Sequence, residues 1–207
     1  MSGDNGQTTA LILASKSASR RAMLDAAGVP YEAVPADLDE RAVEARMAGA
    51  PGGEVAEALS VAKAEALARH HPHALVLGSD SLVVVEGRRF DKPASREEAR
   101  AHLAFFSGKV MELHSAAALV RMSGGAAGCE WSHAACARLV VRKLSERFID
   151  DYLTREWPAI GHTVGCFRIE GPGVQLFERI EGDHFTVLGM PLLPVLGALR
   201  EQGVLAA

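Results

Sequence analysis

The stretch LILASKSASRR, residues 11–21, joins a short apolar run to a loop of hydroxyl-bearing residues and then to a pair of arginines. The apolar run, Leu11–Ala14, predicts a buried strand, and the residues from Ser19 to Ala27 predict a helix. Serine hydroxyls, backbone N–H groups and guanidinium groups that meet at the start of a helix form a favourable binding site for phosphate. The same pattern also fits a surface turn with solvated arginines, so the segment alone leaves both interpretations open.

The rest of the chain alternates predicted strands and helices, which favours a mixed α/β fold. A helix is predicted over residues 54–69, whereas residues 41–53 are predicted to lack regular structure. The apolar run 74–85 is interrupted at Gly78–Ser81, so it fits two strands or one bulged strand. Further strands are predicted at 110–121, 130–142, 164–169 and 174–180, the first two joined by a loop at 123–128.

Composition limits the classes of function. The chain has 207 residues, which suits one large domain or two small lobes that share a core, at residues 11–207. Its net charge of −4 argues against binding to a nucleic acid polymer. Residues 1–10 are predicted to be a disordered tail without the features of a signal peptide. The apolar runs are too short to cross a membrane. Three cysteines without a C-x-x-C pair predict reduced thiols in a cytoplasmic protein: Cys129, Cys136 and Cys166.

Two charged residues lie where burial is predicted. Asp80 is flanked by two apolar runs, so its carboxylate has to be paired, hydrogen-bonded or metal-bound. Lys63 shares the apolar stripe of its helix with Leu59 and Leu67, each four residues away. Both residues have a structural alternative, since Asp80 could accept from local N–H groups and Lys63 could extend its ammonium to solvent.

Two loops carry further candidates. Lys92 precedes Pro93, and its ammonium could reach a phosphate or remain solvated. The acidic residues Asp37, Asp39 and Glu40 suit a divalent cation bound through oxygen, although such clusters also occur as solvated turns. Together, these cations and carboxylates supply the groups that polyphosphate hydrolysis requires.

In their order along the chain, these segments resemble the Maf family of nucleotide pyrophosphatases. The resemblance extends from Leu11 to about Gly203. Its elements are LILASKSASRR (11–21), PADLDE (35–40), Lys63-Ala64, GSDS (78–81), Lys92-Pro93, Ser107-Gly108, Glu170-Gly171, Glu181-Gly182 and Gly189-Met190-Pro191.

The resemblance implies a mixed twisted sheet flanked by helices, with two lobes and a central cleft, as in the inosine triphosphate pyrophosphatases. It implies a homodimer and a housecleaning hydrolase acting on acid anhydrides, which converts a nucleoside triphosphate to the monophosphate and diphosphate with Mg²⁺ or Mn²⁺. Residues 173–182 and Gly78-Ser79-Asp80 look like the branch associated with 7-methyl-GTP. Two alternatives stay open: a nucleotide-binding regulator of cell division without turnover, and a phosphohydrolase that releases the γ-phosphate.

Carried over position by position, the resemblance also implies roles for individual residues. Asp80 corresponds to the proton acceptor, and Lys63 and Lys92 correspond to catalytic cations. Glu40 and Asp80 correspond to the residues that hold the metal ion. Contacts with the substrate are implied for Ser15, Ser17, Arg20, Arg21 and Ser81.

Overall fold

The structure, a computed structural model, describes residues 10–206. The predicted disordered tail lies outside this range except for Ala10, so the limits of tail and domain stay predictions. No helix within residues 10–206 combines the length and the apolar character that crossing a bilayer requires.

Over the described residues, seven strands form one mixed sheet and seven α-helices flank it, which confirms the predicted α/β class. The strands are β1 (Leu11–Ala14), β2 (Glu32–Ala33), β3 (Leu75–Val85), β4 (Arg88–Phe90), β5 (Val110–Ser123), β6 (Ala126–Val141) and β7 (Phe177–Glu181). The helices are α1 (Ala18–Ala26), α2 (Glu40–Arg46), α3 (Gly52–Ala68), α4 (Arg96–Phe106), α5 (Glu146–Glu156), α6 (His184–Leu188) and α7 (Leu192–Glu201).

The topology of the sheet leaves a gap beside β3. The strand order is β2-β1-β3-β5-β6-β7, and β1 runs parallel to both β2 and β3. β5 pairs with β3 along one edge from Val76 to Val85. On the other edge, β1 pairs only as far as Gly78, and β4 pairs only from Val83 onward. Among the described residues, therefore, no strand lies beside residues 79–82 on that edge. We call this unpaired stretch of the β3 edge the notch.

The buried apolar residues are divided between the two ends of the long strands. One cluster contains Val83 and Val85 of β3, with residues of α4 and α5. Another contains Leu75 and Leu77 of β3, with residues of α1 and α7. These two clusters therefore lie toward opposite ends of β3, and the notch lies on the segment of β3 between them. The division into two lobes stays a prediction.

Two predictions of missing or broken structure are wrong. Residues 41–53 were predicted to be irregular, yet residues 40–46 form α2, because the Asp39 carboxylate accepts a hydrogen bond from Ala42 N at 3.1 Å and caps the helix. The interruption predicted at residues 78–81 is absent, because β3 continues through it. The small polar residues there mark the notch, where the neighbouring strand ends.

Predictions for three other segments are corrected as well, two in their bounds and one in its existence. The β5–β6 loop contains only Gly124-Gly125, both with positive φ, because a tight hairpin turn requires that conformation at its two central residues. The strand predicted at residues 164–169 is absent: Gly165 and Cys166 have φ of 81° and 58°, which extended backbone excludes. The strand predicted at residues 174–180 begins only at Phe177, after a 3₁₀ turn.

Candidate active site

Most of the predicted site residues meet at the notch. It lies at the carboxyl end of β1, where the chain leaves the sheet through Ser15 and enters α1. In α/β sheets, ligands bind outside the carboxyl ends of parallel strands, because loops and helix N-termini converge there. The open edge of β3 gives this loop direct access to residues 79–82.

Lys63 contacts two carboxylates, Asp80 on β3 and Glu40 on α2. Because side chains alternate along a strand, Gly78, Asp80 and Leu82 share a face, and α3 covers that face. Lys63 Nζ lies 2.5 Å from Asp80 Oδ1 and 3.0 Å from Glu40 Oε1. The Lys63 and Asp80 side chains are only 12% and 11% exposed, whereas Glu40 is 50% exposed. Lys63 therefore contacts anions instead of extending to solvent, and one ammonium serves two carboxylates.

Gly78 allows α3 to approach β3 closely enough for this contact. A Cβ atom at position 78 would lie 2.0 Å from the Ser60 carbonyl oxygen and 3.0 Å from Ala64 Cβ. Lys63 lies in the same turn of α3 as these two residues. The absent side chain at position 78 thus sets the distance between Lys63 and Asp80.

Arg20 is buried at the notch, and its guanidinium donates to three oxygens. Nε donates to Gly189 O at 2.9 Å, Nη2 to Ser81 Oγ at 2.9 Å and Nη1 to Ser15 Oγ at 3.3 Å. Burial lowers the pKa of Arg20, while the charges of Asp80 and Glu40 act in the opposite direction. Arginine keeps its charge even when its pKa is lowered. The site therefore holds a fixed positive charge whose three direct acceptors are neutral.

The loop between β1 and α1 presents its polar groups at the start of the helix. Ser17 caps α1 by accepting from Arg20 N at 3.4 Å, and Ser15 Oγ accepts from Ser17 N at 3.1 Å. The remaining N–H groups of the first turn carry the positive end of the helix dipole. This geometry supports the phosphate-binding interpretation of the loop over the surface-turn alternative.

The contacts that hold Arg20 were missed by sequence reasoning, although Ser15 and Ser81 were predicted as substrate contacts. Ser81 Oγ lies 3.0 Å from both Gly189 O and Ser115 Oγ, and Ser115 Oγ donates to Thr186 O at 2.9 Å. Gly189 has φ of 106° and ends α6, a helix that was not predicted. A glycine that ends a helix before a proline, as in Gly189-Met190-Pro191, is the pattern that could have located this turn. Ser81 thus supports Arg20 from the face of β3 opposite to Asp80.

Two of the predicted site residues, the substrate contact Arg21 and the catalytic cation Lys92, make no side-chain hydrogen bond or ion pair with this group over residues 10–206. Arg21 is exposed and lines a surface cavity of about 610 Å³ together with Asp25 and Tyr31; this cavity includes none of the three residues that accept from Arg20. Lys92 is exposed in the loop after β4, and over residues 10–206 it forms no ion pair with Asp80 or Glu40. The roles of Arg21 and Lys92 stay predictions.

The site offers two carboxylates to a metal ion. Within residues 10–206 there is no group of three or more His, Cys, Asp or Glu side chains that could hold one. Of the predicted acidic cluster, Asp39 caps α2 and Asp37 is exposed, so only Glu40 joins Asp80. Mg²⁺ is commonly held by one or two carboxylates, with phosphate oxygens and water completing its shell. The donor set therefore fits a divalent cation that binds together with a phosphate ligand.

Taken together, the notch combines groups for binding a polyanion with a carboxylate that could accept a proton. Arg20 and the N-terminus of α1 supply positive charge from one segment, and Lys63 supplies it from α3. Asp80 supplies a largely buried carboxylate among them. Such a combination suits hydrolysis of a phosphate anhydride by an activated water molecule.

This chain is similar to a known protein family and to several named proteins. The model of the Maf-like protein family matches residues 10–202. A nucleoside triphosphate pyrophosphatase from Granulibacter bethesdensis is 47% identical over 197 residues, which cover 94% of this chain and 98% of that protein. A 7-methyl-GTP pyrophosphatase from Rhizobium etli is 46% identical over 200 residues, covering 96% and 98% of the two chains. A HAM1 protein from Coxiella burnetii aligns with 64% of this chain and 73% of its own, with a TM-score of 0.40 and 15% identity.

Proposed function

The chain belongs to the family of Maf-like proteins, and from this membership we propose that it is a nucleoside triphosphate pyrophosphatase, a housecleaning hydrolase acting on acid anhydrides. It converts a nucleoside triphosphate to the monophosphate and diphosphate. The main structural support is the contact of Lys63 with both Asp80 and Glu40 beside the buried Arg20. We propose 7-methyl-GTP as a candidate substrate, because relatives at 45% and 46% identity carry that name.

In the proposed reaction, water attacks the α-phosphorus of the nucleotide. A bond forms between the water oxygen and phosphorus, while the bond from this phosphorus to the bridging oxygen of the β-phosphate breaks and diphosphate leaves. The Asp80 carboxylate accepts the proton that the water loses. Arg20, Lys63 and Lys92 stabilise the negative charge that develops on the leaving diphosphate. Ser15, Ser17, Arg21 and Ser81 complete the proposed substrate contacts.

Lys63 has to change partners for this reaction to occur. Its single ammonium contacts both Asp80 and Glu40, at 2.5 Å and 3.0 Å. Phosphate oxygens compete for the same ammonium, so binding of the triphosphate releases Asp80 to orient and deprotonate water. A Mg²⁺ or Mn²⁺ ion, held by Glu40 and Asp80, would supply further neutralisation of the triphosphate charge.

A product analysis tests the proposed function. The purified chain is incubated with a panel of standard and modified nucleoside triphosphates, including 7-methyl-GTP, with Mg²⁺, with Mn²⁺ or with a chelator, and the products are separated by charge. The proposal expects monophosphate and diphosphate in equal amounts, and only with metal. Release of orthophosphate would indicate attack at the γ-phosphate, and binding without any product would favour a regulatory role; either result contradicts the proposal.

Replacement of Arg20 by lysine is expected to lower kcat/KM by about 10²-fold. Lysine keeps the charge but lacks the planar fork that donates to Gly189 O, Ser81 Oγ and Ser15 Oγ together. Steady-state kinetics on the preferred nucleotide measures the effect, with the melting temperature recorded in parallel. Arg147→Lys is the matched control, because Arg147 is 93% exposed and distant in sequence from every site residue. An Arg20→Lys enzyme with the kinetics of the control would remove Arg20 from the site.

Localisation and assembly complete the proposal. We place the protein in the cytoplasm, where its three cysteines, all free, would remain reduced. Its proposed partner is a nucleotide, without a nucleic acid polymer or a membrane. The homodimer implied by the family resemblance stays a prediction, which sedimentation of the purified protein tests.

A further inference from the structure

Helix α2 carries Glu40 into the site but has little support of its own. It contains seven residues, and Val43 is its one buried residue. Helices of this length are not stable in isolation, so their position depends on tertiary contacts. A cavity of about 330 Å³, lined by Val43 and Met47 of the α2 region and by Val61 and Ala62 of α3, separates parts of the two helices. Val43 packs in a buried cluster with Val55 and Leu59 of α3, and it is the one residue of α2 in that cluster. A single packed residue fixes where the helix lies but leaves its orientation weakly fixed.

Two ion pairs, one helical turn apart, attach α2 to its neighbours, one to α3 and one to β4. Glu40 pairs with Lys63 at the start of the helix, and Glu44 pairs with Arg89 one turn later. The Glu44 and Arg89 side chains are 23% and 29% exposed, so their pair is more enclosed than most surface pairs. Exposed pairs contribute little, while partly enclosed pairs are less screened by salt.

Arg89 is itself held in a fixed position. It lies on β4 opposite Val84 of β3, on the face of the sheet that Asp80 occupies, because side chains on paired residues share a face. The next residue, Phe90, is buried and packs edge-to-face against His102 and Phe106. Arg89 therefore provides α2 with an attachment point that is rigid with respect to Asp80.

We infer that Arg89, through its ion pair with Glu44, is a positioning residue that holds α2 in the orientation in which Glu40 reaches Lys63 and the metal-binding side of Asp80. The inference rests on the proposed function for the role of Glu40. Loss of the pair leaves one charged contact, at the N-terminus of α2, to orient the helix. Glu40 then spends less time near Asp80, so the two carboxylates hold a divalent cation less tightly.

The experiment compares Glu44→Gln, Arg89→Gln and the charge reversal Glu44→Arg/Arg89→Glu with the unmodified chain. In each single variant we expect the Mn²⁺ concentration for half-maximal activity to rise by roughly tenfold, with kcat at saturating Mn²⁺ changed by less than about threefold. A loss of folded protein alone would lower kcat and leave the metal dependence unchanged. The charge reversal restores the attraction with exchanged signs, but it also places a carboxylate beside Asp91, which lies 3.7 Å from Arg89 and is 76% exposed. It is therefore expected to recover part of the metal affinity.

A second readout does not depend on activity. Hydrogen exchange of the amides in residues 40–46, measured without nucleotide or metal, is expected to be faster in both single variants and to slow again in the charge reversal. Asp150→Asn is the matched control: it breaks the 2.9 Å pair between Asp150 and Arg100, which joins α4 to α5 away from the notch. This control should change neither the metal dependence nor the exchange of α2.

The outcomes separate this inference from the proposed function. Unchanged metal dependence and unchanged exchange of α2 in the single variants would overturn the inference, as would failure of the charge reversal to recover either property. Absence of diphosphate release from the unmodified chain would instead overturn the proposed function, and the exchange measurement would still decide whether Arg89 holds α2.

Discussion

Asp80→Asn is expected to lower kcat by about 10³-fold while the protein remains folded. The amide cannot accept the proton that the attacking water loses, and it offers a poorer ligand to a divalent cation. It also lacks the charge that attracts Lys63 at 2.5 Å. The loss should therefore appear mainly in kcat, because Arg20 and the N-terminus of α1 still bind the phosphate groups. Single-turnover rates with the preferred nucleotide measure this change directly.

The fold of this variant should persist because Lys63 retains a second carboxylate. Glu40 Oε1 lies 3.0 Å from Lys63 Nζ and is half exposed, so the ammonium is not left buried and unpaired. Urea unfolding should show a midpoint close to that of the unmodified chain. Asp150→Asn, the same substitution in an exposed ion pair, serves as the control for activity. Near-normal turnover by a well-folded Asp80→Asn enzyme would falsify the assignment of Asp80 as the base.

Some helices and strands have boundaries that depend only on residues nearby in the chain, and these could be predicted from the sequence. The helix predicted at residues 54–69 corresponds to α3. β1 is found at Leu11–Ala14. The S-x-x-E pattern at Ser95 forms the cap of α4, with Ser95 Oγ accepting from Glu98 N at 3.1 Å. Apolar periodicity and capping act over a few residues, which is why they can be recognised without knowledge of the fold.

The notch could not be predicted, because it arises from strands that are distant in the chain. The polar residues at 78–81 were correctly recognised as unusual, but they were interpreted as a break in the strand itself. In the structure β3 is continuous, and its neighbours β1 and β4 stop on either side. The identity of residues 78–81 reflects a missing neighbour, and no local pattern distinguishes that case from a bulge.

The candidate site was predictable only where a local pattern marked a residue as unusual. Lys63 was identified because a lysine in an apolar stripe requires an anion or solvent, and the structure supplies Asp80. The support of Arg20 by Gly189 O joins residues 169 positions apart. Helix α2 was missed because it lacks a complete apolar stripe. Val43 is its one buried residue, and two ion pairs hold the rest of the helix. Tertiary contacts, not local preference, determine both features.

The second large effect is expected from Gly78→Ala, which should destabilise the protein by about 3 kcal/mol. The added methyl group would lie 2.0 Å from the Ser60 carbonyl oxygen and 3.0 Å from both Ala64 N and Ala64 Cβ. A backbone carbonyl cannot rotate away as a flexible side chain does, so α3 has to move off β3. In a chain of this size, the melting temperature should fall by about 6–12 °C.

Movement of α3 also affects the site, because Lys63 lies in the turn that Gly78 contacts. The folded fraction of Gly78→Ala should therefore lose turnover in addition to stability, as Lys63 moves away from Asp80. Gly197→Ala is the matched control. Gly197 lies within α7, and among the described residues a Cβ there would meet nothing within 4 Å beyond its chain neighbours and the adjacent backbone of its own helix. The change should therefore stabilise the helix slightly. Adding Ala64→Gly to Gly78→Ala should not restore stability, because the closest contact is with the carbonyl of Ser60. Full recovery in that double variant would place the clash at the Ala64 side chain and contradict the proposed role of Gly78 as the spacer between α3 and β3.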